Sequence, residues 1–144
     1  MIIDSFPAVV IHGLADARAV LHFARPLTLL SAPGAALYAG SGWWRALVRQ
    51  AEAEFPGVKF VDILDCADAS GLALGALRIG QRRIVLDPAA PGWPAVAAIG
   101  ASRGAEVLAR RPPALDLADR ASSRRLHDWL QVRTTPDDSS GGVG

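Results

Sequence analysis

Short apolar runs alternate along the chain with segments of helical period. The first run, Ala8-Val9-Val10-Ile11, reads as a strand and ends in His12-Gly13. A helix is predicted over 16–24, with Ala17, Val20, Leu21 and Ala24 along one face, and Pro26 stops it. Residues 27–30, Leu-Thr-Leu-Leu, read as the second strand. The clearest helix follows, because Trp44, Leu47, Val48, Ala51 and Phe55 form a single stripe. Ser41 or Gly42 is expected to cap its start, and Pro56-Gly57 to end it.

A third strand is predicted over 58–64, then a helix capped by Asp68 that runs to Ile79 and stops at Gly80. Residues 83–86 form the fourth strand. Pro94 suits the first turn of the next helix, which Gly104 ends. Residues 106–109 give a short fifth strand. Pro112-Pro113 breaks the chain before a last helix over 121–131, with Leu126, Trp129 and Leu130 inside.

This pattern describes five βα units with strands apolar enough to be covered on both faces. The expected fold is a three-layer α/β/α sandwich with a five-stranded parallel sheet, flavodoxin-like in topology. Order 2-1-3-4-5 is the most economical for right-handed crossovers. The alternative is a half-barrel of βα repeats that completes itself by dimerising. Residues 1–131 are expected to form one domain. Residues 132–144, with Ser, Gly and Asp and no apolar period, read as a flexible tail.

Composition narrows the class. Of 144 residues, 51% are hydrophobic and 20% charged, which excludes intrinsic disorder. The longest run of apolar side chains has five residues, too short to span a membrane. In MIIDSFP, Asp4 stands where a secretory signal carries Lys or Arg. A cytoplasmic protein with no membrane partner is therefore expected. Cys66 is the only cysteine, which excludes an internal disulfide or a multi-thiolate metal site. Fourteen of the fifteen basic residues are Arg, and the excess of positive charge lies in residues 103–133. Interleaved with acids, it describes a solvated helix face rather than a nucleic-acid surface. The low charged fraction and the pair Gly71 and Gly75, one helical turn apart, point to a homodimer seam or to close packing on the sheet.

In folds of this kind chemistry sits at the carboxyl ends of the strands. Those ends carry His12-Gly13, Ser31 to Gly34, Asp65-Cys66, Asp87-Pro88 and Arg110-Arg111. The loop after the second strand is long and small-residued. There Ser31, Gly34, Gly40, Ser41 and Gly42 are candidate ligand-binding residues. Backbone amides at the start of the following helix would favour a phosphate or carboxylate. No lysine follows these glycines, and the dinucleotide fingerprint is absent, so no cofactor is expected. The plainer reading of the loop is a tight turn capped by Ser41.

His12 and Asp65 are the candidate catalytic pair, the aspartate fixing the imidazole tautomer. Helix capping and Asx turns are the plainer roles for both. Cys66 reads as core packing, Asp68 as a cap and Asp87 as the start of a turn. The spacing of His12, Asp65, Asp68 and Asp87 is not diagnostic of a metal, and none is expected. After the first strand, the phosphate loop of a flavodoxin and the acidic pair of a receiver domain are both missing. The sequence thus points to a small domain binding an anionic ligand at the carboxyl edge of its sheet. The alternative is a cofactor-independent lyase or isomerase of phosphorylated or carboxylated metabolites.

Overall fold

The computed structural model describes residues 6–131. The tail expected over 132–144 lies outside them. The elements are β1 (Ala8–Ile11), α1 (Leu14–Leu21), β2 (Leu27–Ser31), α2 (Ala35–Tyr38), α3 (Ser41–Glu54), β3 (Phe60–Asp65), α4 (Ser70–Arg78), β4 (Arg83–Val85), α5 (Trp93–Ser102), β5 (Glu106–Leu108), β6 (Ala114–Asp116) and α6 (Arg120–Gln131). All strand pairs are parallel, in one open six-stranded sheet of order β5-β4-β3-β2-β1-β6.

The α/β class with a parallel sheet is as the periodicity predicts. Two details differ. The sheet has a sixth strand, and its order is sequential rather than 2-1-3-4-5, since Leu27 to Leu30 of β2 lie directly opposite Phe60 to Ile63 of β3. Strand β6 escapes a reading of the sequence because it has three residues, too few to show alternation, and follows Pro112-Pro113. Proline is tolerated just ahead of a strand, so the pair that looks like a break serves as its entry. Helix α2 is hidden for a similar reason, being a single turn of four residues.

Sequential order has a consequence for the layers. Right-handed crossovers that all step in one direction place their helices on one face. The burial pattern agrees. All six helices contribute buried residues to one cluster, together with Val9, Ile11, Leu29, Leu64, Ile84 and Leu115 of the strands. The alternate strand positions, Val10, Leu30, Ile63 and Val85, form a second cluster to which no described helix contributes. Leu30 and Ile63 are nevertheless fully buried.

The length of one connection shows how. Five residues, 109–113, join β5 to β6 at opposite edges of the sheet. Six Cα steps reach about 21 Å. A flat sheet would hold these edges about 24 Å apart laterally, and the register adds about 13 Å along the strands, or about 27 Å in all. The sheet must therefore curl around its helix-free face, which shields the second cluster with its own strands.

Side-chain hydrogen bonds anchor the helical layer. The Trp44 indole of α3 and the Gln81 amide both donate to Asp62 Oδ2 at 2.8 Å. On α6, Trp129 donates to the Ala8 carbonyl at 2.8 Å. Gly80 and Gly104 adopt the left-handed conformation, with φ of 93° and 71°, as expected of helix stops.

The glycines of α4 do not mark a close approach within the chain. A Cβ at Gly71 or Gly75 would meet nothing within 4 Å, whereas one at Gly100 of α5 would lie 2.8 Å from Val107 Cγ2. In urea denaturation, Gly75→Ala should stabilise the fold by about 0.5–1 kcal/mol through helix propensity. Gly100→Ala should cost about 1–3 kcal/mol through overpacking against β5. Equal effects of the two substitutions would refute this distinction.

Candidate functional site

Asp65 ends β3 with only 4% of its surface exposed. Burying a carboxylate is costly unless its oxygens are bonded, and here they are. Oδ1 accepts the Gly34 N–H at 3.1 Å and the Ala67 N–H at 2.7 Å. Oδ2 accepts from Arg111 Nη1 at 2.8 Å. The Asp65 N–H itself donates to Ser31 Oγ at 2.9 Å. One side chain thus ties the β2–α2 turn, the β3–α4 turn and the β5–β6 connection together.

His12 lies at the same edge, after β1, but its partner is not Asp65. Its Nε2 is 2.7 Å from Asp116 Oδ1 at the end of β6, and its backbone N–H donates to Asp16 Oδ2 at 2.8 Å. Desolvation pushes the Asp116 carboxyl up. The His12 hydrogen bond, the Ala118 N–H and the charges of His12 and Arg111 outweigh it and hold the group below its ordinary value. The expected pairing of His12 with Asp65 is therefore replaced by two pairs, His12 with Asp116 and Arg111 with Asp65. The sequence offers no sign of Asp116, because the three-residue strand that presents it lies between Pro112-Pro113 and the last helix and shows no alternation.

The glycine loop divides. The Ser31 hydroxyl is buried and donates to the Ala32 carbonyl at 3.1 Å while accepting from Asp65, and the Gly34 N–H is held by Asp65. Gly40, at φ 88°, caps α3 with no side-chain bond, which corrects the expected caps Ser41 and Gly42. Ser41 and Gly42 form the first turn of α3. Their amides precede the first intrahelical bond, from Trp44 N–H to the Gly40 carbonyl at 3.3 Å.

Helix α4 is likewise capped at Ala69 rather than Asp68. Asp87 does open a turn, Oδ1 accepting the Ala89 N–H at 2.9 Å. Cys66 is fully buried in the main core. Burial, helped by the Asp65 charge, pushes its thiol up to about 12.

Beyond Asp65 the carboxyl ends of β3, β4 and β5 frame a depression of about 560 Å³. It is lined by Asp65, Asp68, Asp87, Arg110 and Arg111 with Ala67, Val85, Pro88 and Ala109. Among the described residues no three His, Cys, Asp or Glu side chains are placed to hold a metal ion. No described helix is long and apolar enough to cross a membrane. The chain matches no family model and no curated protein sequence.

The cost of losing the Asp65 hub is measurable. Asp65→Asn places an amide NH2 against donors and removes the charge facing Arg111, and should cost about 2–4 kcal/mol in urea denaturation. A cost below about 1 kcal/mol would show that the hub is dispensable. The Cys66 thiol should stay unreactive to iodoacetamide in the native protein from pH 7 to pH 10, since it remains protonated below about 12. Alkylation in folded protein whose rate levels off between pH 8 and pH 10, as for a thiol of ordinary pKa, would contradict this.

Proposed function

We propose that this is a binding domain for a small anionic ligand, a phosphate or carboxylate group held at the carboxyl edge of the sheet. The observation that carries the reading is Arg111. Its guanidinium is fixed by Asp65 and lines the depression beside Arg110. A guanidinium has five N–H donors in a rigid fork, and Asp65 takes one of them from Nη1. Fixing the cation before the ligand arrives reduces the ordering cost of binding. The volume is also that of a small-molecule site, typically about 300–1,000 Å³.

Acid/base catalysis has one observation in its favour, the contact of His12 with Asp116 at the same edge. A carboxylate on Nε2 leaves Nδ1 for proton transfer. In that reading Asp116, not Asp65, orients the imidazole. Turnover of phosphorylated or carboxylated metabolites that His12→Gln abolishes would establish a lyase or isomerase in place of a binding domain.

Sulfate, which does not titrate near neutrality, tests the binding reading by amide chemical shifts at millimolar concentration. Shifts are expected at Ala67, Asp68, Ala89, Arg110 and Arg111, with at least threefold weaker binding in Arg110→Ala. Arg111→Lys, which keeps the charge facing Asp65 but loses the fork, should weaken binding as well. Movement confined to Ser41 and Gly42 would place the anion at the start of α3 instead. No movement anywhere would sink the proposal.

A further inference from the structure

The charges around the depression do not suit an anion alone. Asp65 and Arg111 offset one another through their 2.8 Å contact. The remaining charged lining residues are Arg110, Asp68 and Asp87, all exposed. That leaves one positive charge against two negative. An incoming anion would gain from the guanidiniums and lose to the carboxylates that line the same depression. A ligand with a cationic group as well would reverse that loss, since the same carboxylates would then attract it.

The fold brings these residues to the depression on different segments. Asp68 precedes α4 and Asp87 follows β4, and the two turns are joined where the Asp87 N–H donates to the Ala67 carbonyl at 2.7 Å. Arg110 and Arg111 come from the connection after β5. The two exposed acids thus arrive on one pair of joined turns and the bases on another segment, with Arg111 reaching Asp65 at the end of β3.

Resting on the anion-binding reading, we infer that the ligand is a small zwitterion. Its anionic group is held by Arg110 and Arg111, and its ammonium or amidinium group lies on the side of Asp68 and Asp87. A matched series of probes tests this. Homotaurine (3-aminopropane-1-sulfonate) carries a sulfonate and an ammonium, propane-1-sulfonate the sulfonate alone and propylammonium the cation alone. All three keep their charges near neutrality.

In amide-shift titrations of the whole chain, homotaurine is expected to bind about threefold to tenfold more tightly than either single-charge probe. The double variant Asp68→Asn/Asp87→Asn should erase that advantage and tighten propane-1-sulfonate, because the repulsion is gone. Both positions are exposed, so the variant should fold. Propane-1-sulfonate binding as tightly as homotaurine, at Arg110 and Arg111, would overturn the zwitterion and leave the anion site standing. Failure of every probe to shift these residues would overturn the anion site as well.

Discussion

The connection from β5 to β6 has five residues in which to cross the whole sheet, and much of the structure depends on how that is possible. The sheet curls until its edges come within reach, and Arg111, midway along the crossing, is held on the buried carboxylate of Asp65. The same carboxylate accepts one amide from each of the turns after β2 and β3, at Gly34 and Ala67. Three chain segments far apart in sequence converge on two oxygen atoms. Curling also explains why a sheet face without described helices is buried, since the strands shield one another across the concavity.

That arrangement decides which residues are available for chemistry. Asp65 is a hub rather than a partner for His12, and its hydrogen bonds are directed to backbone and guanidinium. His12 faces the other end of the crossing, where β6 presents Asp116 beside β1. Cys66, next to the hub in sequence, points to the opposite side of the sheet and into the core, as alternation along a strand requires. The exposed acids Asp68 and Asp87 and the base Arg110 then surround a depression whose two signs come from different segments. The zwitterionic ligand proposed above would use both.

Much of the element list was legible in the sequence. The stripe through Trp44, Leu47, Val48 and Ala51 is the buried face of α3, and the runs at 8–11 and 27–30 are β1 and β2. The glycines at 80 and 104 stop helices where the chain must turn left-handed. These are local matters, settled by periodicity and backbone preference within a few residues. Strand β6 and helix α2 were not legible, because three or four residues carry no period. The glycines of α4 misled in a different way: they promise a close approach, and within the chain that approach occurs at Gly100 of α5.

The sequence by itself determined the alternation of strand and helix, the parallel class and the edge at which polar residues collect. Each follows from hydrophobic spacing and from the rule that βα units expose the carboxyl ends of their strands. Strand order, the curl and the partner of each charged side chain were decided only by the tertiary structure. His12 stands four residues from Asp16 and 104 from Asp116, and it uses its backbone on the first and its imidazole on the second. No local pattern encodes such a choice, because it depends on which strand lies beside β1 in the finished sheet.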